Sequence, residues 1–388
     1  MTITAPKGFR AAGVKAGIKA SGNPDLALVV NDGPLKAAAA VFTSNRVAAA
    51  PVHWSRQVVS DGRVDAVVLN SGGANACTGP QGFQNTHATA EKVAELLGIS
   101  ASDVAVCSTG LIGEQLPMDK ILPGVEAAAA ELSEDGGSAA ATAIMTTDTV
   151  AKESVFTGTD SEGREFTIGG IAKGAGMLAP GLATMLVVLT TDAQVPAELL
   201  DVVLRDATRV TFDRADSDGC MSTNDTVVLL ASGASDAVPS AEQLGAGLTQ
   251  VSADLARKLI GDAEGASHDI AIRTFNAASE RDAEVVSRAV ARSNLFKTAI
   301  FGKDPNWGRV LSAVGTTDAV FEADQLNVAI NGVQICRNGG IGEDRNLVDL
   351  EPREVLVEID LQAGDAEATI WTNDLTHEYV HENSAYSS

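Results

Sequence analysis

Between Lys173 and Leu189 the chain passes from a run of glycine and proline straight into an unbroken apolar stretch, and a lone threonine marks the change. Gly174, Gly176, Pro180 and Gly181 signal irregular backbone. Met185 to Leu189 reads as a fully buried strand. Thr184 therefore stands where a tight loop enters a core strand, with the small residue Ala183 before it. Most threonines in such a place satisfy a backbone group. The same place also suits the nucleophile of a self-cleaving protein. If the Ala183–Thr184 bond breaks, Thr184 gains a free α-amine beside its own hydroxyl, and the amine can act as that hydroxyl's base. The feature constrains the fold as well. Thr184 lies near the middle of a 388-residue chain. Fragments 1–183 and 184–388 would stay together only if their strands shared one core.

Hydrophobic residues make up 45% of the chain and charged residues 20%, with no low-complexity tract, so a substantial core is expected rather than disorder. The net charge is −23, from 51 acidic and 28 basic residues. A surface that acidic repels phosphate backbones, and no basic cluster offsets it, which excludes nucleic acid as a partner. The first ten residues have no apolar stretch behind their charges and do not resemble a signal peptide. No window reaches the ~18–20 uninterrupted apolar residues of a membrane span. A cytoplasmic protein is expected. Cys77, Cys107, Cys220 and Cys336 form no CxxC pair and read as buried or semi-buried free thiols. The five histidines are scattered. HExxH, GxSxG and Walker A sequences are absent, so neither a metal nor an organic cofactor is expected.

Strands and helices alternate without internal repeats. Strands are expected at Leu26 to Asn31 and Ala37 to Phe42, joined by the turn Asp32-Gly33-Pro34, and at Val64 to Asn70 and Val104 to Cys107. Helices are expected at Thr86 to Leu97, Val125 to Leu132, Ala197 to Thr211, Ala241 to Ile260 and Asp282 to Ser293. The end of the chain reads as strands Leu326 to Ile335, Glu354 to Asp360 and Ala366 to Thr372. The pattern is that of a layered α/β or α+β protein.

Polar groups on glycine-bearing loops carry the remaining chemistry. In Ser108-Thr109-Gly110 a backbone N–H and a hydroxyl could face one oxygen, as in an oxyanion hole; an ST-turn or helix cap is the plainer reading. Thr146 and Thr147 belong to a run of short hydroxyls that is equally ambiguous. Lys173 could hold a carboxylate or depress a nearby amine's pKa. Glu264, in a small-residue loop, could pair with a cationic substrate end or sit solvated in a turn.

Six segments together resemble one family over essentially the whole chain, in order. They are Lys-Gly-Ala-Gly-Met-Leu-Ala-Pro-x-Leu-Ala-Thr-Met-Leu (173–186), Cys-Ser-Thr-Gly-Leu-Ile-Gly-Glu (107–114), Met-Thr-Thr-Asp-Thr (145–149), Ser-Thr-Asn-Asp (222–225), Asp-Pro-Asn-Trp-Gly-Arg (304–309) and the terminal Glu-Asn-Ser-Ala-Tyr-Ser-Ser. The chain is similar to the ornithine acetyltransferases, or glutamate N-acetyltransferases, of the ArgJ family. The resemblance implies an N-terminal-nucleophile-type fold of the ArgJ/DmpA kind, with helices packed on mixed sheets. It implies self-cleavage between Ala183 and Thr184, with Thr184 the nucleophile and Thr109 and Gly110 the oxyanion hole. Substrate contacts carry over onto Thr147, Lys173, Thr184, Glu264, Asn383 and Ser388. Ala175 and Gly181-Leu182 depart from the common pattern but replace no catalytic group.

The reaction implied is acetyl transfer from N-acetylornithine to glutamate through an acetyl-Thr184 ester. It needs no cofactor, and acetyl-CoA is an alternative donor. The 1–183 and 184–388 fragments are expected to assemble as a heterotetramer, two copies of each. Two rival readings are an N-terminal-nucleophile aminopeptidase, which passes the acyl group to water, and a non-catalytic small-molecule binding module, which would stay uncut.

Overall fold

Apolar runs bounded by turns fold into three sheets. The computed structural model describes residues 2–177 and 185–385. The first sheet orders Phe9–Val14, Leu26–Asn31, Ala66–Ser71 and Val104–Thr109, of which the last two are parallel. The second orders Ala37–Phe42, Thr226–Ala231, Leu186–Thr191, Glu165–Lys173 and Lys152–Thr159, with Leu186–Thr191 and Thr226–Ala231 parallel. Strands from both sides of residue 184 thus share the second sheet, where Lys173 pairs with Leu186.

Every residue of Leu26–Asn31, Ala66–Ser71, Val104–Thr109, Leu186–Thr191 and Thr226–Ala231 is buried. Such strands must be covered on both faces. Helices Gly79–Leu97 and Met118–Ala130 pack on the outer face of the first sheet. Helices Ala197–Val210 and Ala241–Gly261 cover the outer face of the second. The inner faces meet in a core that includes Val29, Leu69, Ile171, Leu186, Val188 and Val228. The result is a helix–sheet–sheet–helix sandwich. The third sheet pairs 269–277 with 354–360 and 366–373, and carries helices Glu280–Ala291, Asn294–Phe301 and Trp307–Val314 over its own core. Among the described residues no helix is long and apolar enough to cross a membrane.

The expected class, helices packed on mixed sheets, is the one adopted. Several elements differ in detail. Leu26–Asn31 and Ala37–Phe42 are both strands, yet they belong to different sheets. The helix expected from Thr86 begins at Gly79, with Pro80 in its first turn. The one expected at Val125 to Leu132 runs Met118–Ala130. Leu326 to Ile335 is two strands, because Asn331 and Gly332 take φ +46° and +81° and turn the chain back on itself. Cys107 and Cys336 are buried free thiols, whereas Cys77 and Cys220 are exposed.

Candidate active site

The two facing sheets meet along one edge, and the polar groups gather there. Strand Val104–Thr109 ends in Thr109, strand Glu165–Lys173 ends in Lys173, and Leu186–Thr191 begins one residue after Met185. Thr109 is anchored on its carbonyl, which accepts the N–H groups of Gly72 and Gly73, each at 2.9 Å. Gly110 follows at φ +132°, and a Cβ there would lie 2.5 Å from the Gly73 nitrogen. Only glycine admits that approach. Asn70 supports the turn. Its amide donates to the Gly73 carbonyl at 3.1 Å and its oxygen accepts the Ser108 hydroxyl at 2.6 Å.

Lys173 is 1% exposed and donates to the Thr109 hydroxyl across the sheet interface at 3.2 Å. Burial pulls its pKa down, against the opposing pull of Asp148. Asp148 is the hub of this charge cluster. It accepts the Gly174 N–H at 2.7 Å, the Thr146 N–H at 2.9 Å and the buried Lys152 ammonium at 2.6 Å. Lys152 also reaches Asp262 at 2.5 Å. Burial alone would raise the Asp148 carboxyl, but Lys173, Lys152 and the Gly174 N–H outweigh it and hold the group at about 2. The hub therefore ties the threonine run, the end of the Lys173 strand and the loop after helix Ala241–Gly261 into one unit.

That loop carries Glu264. The Thr147 hydroxyl donates to Glu264 Oε1 at 2.7 Å, and the Glu264 N–H donates to the Ala175 carbonyl at 3.0 Å. The terminal helix His377–Ala385 lies against the same loop, with the Thr376 hydroxyl donating to the Gly265 carbonyl at 2.6 Å. A cleft of about 650 Å³ opens between these parts, lined by Thr109, Gly110, Thr147, Lys173, Glu264 and Asn383 among others. All six were singled out in the sequence, and the fold brings all six together. Thr146 lines the same cleft. Ala183, Thr184 and Ser388 lie outside the described residues.

Three residues at the cleft escape sequence reasoning. Lys19 and Glu114 line it, and Asp148 organises its floor. Lys19 sits on a loop wrapped around the buried Asp25, which accepts the N–H groups of Ala16, Ile18 and Lys19 at 2.6–2.9 Å. No local pattern marks it as a cleft residue. Asp148 lies inside the Met-Thr-Thr-Asp-Thr motif, and that was its one available signal.

A model of the ArgJ family matches residues 10–388. The chain belongs to the ArgJ family. The arginine biosynthesis bifunctional protein ArgJ of Streptomyces coelicolor is 68% identical over 388 residues, covering 100% of both sequences. That of Streptomyces avermitilis is 67% identical over the same span, again 100% of each. Among solved structures, an ornithine acetyltransferase chain from Mycobacterium tuberculosis, complexed with ornithine, is 54% identical. It covers 48% of this chain and 96% of that one, at a TM-score of 0.42. Thr109, Gly110, Thr147, Lys173 and Asn383 lie on the sequence motifs quoted above, and Glu264 lies between them.

Proposed function

We propose that the chain is an acyltransferase of arginine biosynthesis, which moves the acetyl group of N-acetylornithine to glutamate through an acetyl ester on Thr184. The observation that carries this reading is the convergence, in one cleft at a shared sheet edge, of an oxyanion-type turn, a buried cation and a carboxylate. That edge is where the strand following Thr184 begins. A substrate with an anionic α-carboxylate and a cationic α- or side-chain amine needs both signs of charge, and Lys173 and Glu264 supply them.

The chain first cuts itself between Ala183 and Thr184, giving 1–183 and 184–388, with both fragments held in the second sheet. The free Thr184 α-amine then takes the proton of its own hydroxyl. An unperturbed α-amine titrates at about 7.7–8.0, close to neutral pH. Thr184 Oγ attacks the acetyl carbonyl, and the Gly110 N–H and Thr109 hydroxyl hold the developing oxyanion. Ornithine leaves, glutamate attacks the ester, and N-acetylglutamate departs. Thr147, Lys173, Glu264, Asn383 and Ser388 hold the substrate. The mature enzyme is a cytoplasmic assembly of two copies of each fragment.

Incubation with N-acetylornithine and no glutamate should add one acetyl group to the 184–388 fragment, seen by mass spectrometry. Thr184→Ala should leave one uncut and inactive chain. An active enzyme with no adduct, or a Thr184→Ala chain that still cuts, would overturn the reading. Because relatives are named bifunctional, acetyl-CoA as sole donor is the second substrate to test, with N-acetylglutamate the expected product.

A further inference from the structure

Lys19 lines the cleft but has no part in the mechanism above. The buried Asp25 accepts the Ala16, Ile18 and Lys19 N–H groups and so fixes the loop that carries it. The side chain lies against Gly72, which has φ +112°. A Cβ on Gly72 would come within 3.3 Å of Lys19 Cγ and 2.9 Å of Ile18 Cγ2. The Gly72 N–H bonds the Thr109 carbonyl, so the stem of Lys19 runs beside the oxyanion-type turn. Its ammonium donates to the Met145 carbonyl, next to the threonine run, at 2.6 Å and to the Pro24 carbonyl at 2.8 Å.

Both of those acceptors are neutral, and no carboxylate among the described residues forms an ion pair with Lys19. An ammonium has three N–H donors, and the two carbonyls leave one of them for the cleft. The carboxylates that influence Lys19 are engaged elsewhere, Asp25 by three N–H groups and Asp148 by Lys152 and the Gly174 N–H. Burial pulls the Lys19 pKa down, Asp25 and Asp148 pull it up, and the second cleft cation, Lys173, lowers it further. Two like charges lining one cleft are relieved by a bound anion.

The two substrates of the proposed reaction share an α-carboxylate and the nitrogen that carries or receives the acetyl group. They differ at the side-chain end, an ammonium in N-acetylornithine and a carboxylate in glutamate. A cleft that takes them in turn needs a partner for each end. Lys173 is assigned the common α-carboxylate and Glu264 the amine, and Glu264 repels a carboxylate. Among the described lining residues, Lys19 is the cation still without a role. We propose that Lys19 binds the side-chain carboxylate of the acceptor, and so selects a dicarboxylic amino acid for the second half of the reaction. This rests on the acetyl-transfer reading given above. The donor's side-chain ammonium is repelled by Lys19, so the residue favours the acceptor alone.

The test measures acetyl transfer by wild-type, Lys19→Met and Lys19→Arg enzymes, with N-acetylornithine as donor and glutamate or glutamine as acceptor. Methionine keeps the stem over Gly72 and removes the charge. In a ping-pong scheme kcat/KM for each substrate reports its own half-reaction. For Lys19→Met, kcat/KM for glutamate should fall about 10- to 100-fold, the scale of one hydrogen bond to a charged group. The preference for glutamate over glutamine should shrink by the same factor, while kcat/KM for N-acetylornithine should not fall with it. Lys19→Arg, which keeps the charge, should lose less than Lys19→Met. A wild-type enzyme that transfers no acetyl group overturns the reading of function and the Lys19 assignment with it. With wild-type transfer intact, an unchanged preference for glutamate, or an equal fall for donor and acceptor, shows the Lys19 assignment alone to be wrong. Should Lys19→Met prove unfolded or uncut, reductive methylation of the wild-type enzyme decides. Glutamate should then slow the labelling of Lys19 where glutamine does not, and equal labelling with the two overturns the proposal.

Discussion

Gly176→Ala tests the Glu264 assignment from a residue that carries no chemistry of its own. Gly176 is not among the residues with positive φ, so alanine brings no backbone strain. Its added Cβ would meet the Glu264 carboxylate, 2.7 Å from Oε2 and 2.8 Å from Cδ and Oε1. Ordinary contact begins near 3.4 Å, so the carboxylate must withdraw by 3.4 − 2.7 = 0.7 Å at its nearer oxygen. The Thr147 hydroxyl bond to Oε1, now 2.7 Å, is then stretched or broken. The carboxylate also leaves the position in which it is proposed to bond the substrate's cationic amine, and a hydrogen bond to a charged group contributes about 1.5–3 kcal/mol. At 1.4 kcal/mol per factor of ten, that corresponds to a loss of roughly 10- to 100-fold in holding the substrate's cationic amine. The interaction is made equally in the ground and transition states, so KM for N-acetylornithine should rise by that factor with kcat little changed. Steady-state kinetics of acetyl transfer on the cut protein read both constants. A wild-type KM, or a fall in kcat at constant KM, would refute the placement of the amine at Glu264.

Acid should weaken the fold through Asp148. Its carboxyl titrates at about 2 in the fold against an ordinary 3.8. Folding thus favours the ionised form, and the group adds about 2 kcal/mol that is fully present above roughly pH 4 and lost as pH falls towards 2. Urea midpoints should drop across that window in wild type and drop less in Asp148→Asn, which should also be less stable at neutral pH because the buried Lys152 and Lys173 lose a counter-charge. Deleting residues 384–388 should raise KM for N-acetylornithine while leaving self-cleavage intact; a truncated enzyme with wild-type kinetics would make the chain end ordinary surface.

The strands were legible where an apolar run ends at a turn, as at Leu26–Asn31 and Ala37–Phe42, because burial on both faces leaves a continuous signature. Which sheet each joins was not legible. The two strands are separated by five residues and look like a hairpin, but Leu26–Asn31 lies between Phe9–Val14 and Ala66–Ser71, while Ala37–Phe42 pairs with Thr226–Ala231 in the other sheet. The hairpin Lys152–Thr159 with Glu165–Lys173 went unread because Gly158, Gly169, Gly170 and the terminal lysines break its apolar pattern. Asn331-Gly332 was a hairpin signal that the flanking apolar residues masked. At the cleft, Thr109, Thr147, Lys173 and Glu264 were ambiguous one at a time. A lysine that is 1% exposed and a lysine in solvent have the same letter. What the letters could not show is that the fold brings all four to one cleft at the sheet edge.

That edge also explains how a break in the middle of the chain could leave the site whole. Lys173 closes one strand, Leu186 opens its antiparallel neighbour, and Leu186 in turn pairs with Thr226. Six residue pairs, Ile168 with Thr191 through Lys173 with Leu186, join the proposed fragments within the second sheet. Val188 and Leu230 from one fragment share a core with Val29 and Leu69 from the other. Cutting the chain between residues 183 and 184 would remove a covalent link and none of these contacts. The Thr109 turn is fixed through Asn224, which comes from the far fragment and bonds the Ser108 carbonyl. Lys173 is fixed to that turn by the Thr109 hydroxyl. The groups proposed to hold the oxyanion therefore keep their positions through framework bonds that do not pass through the Ala183–Thr184 bond. The same arrangement that serves the cut is then in place for the acetyl group.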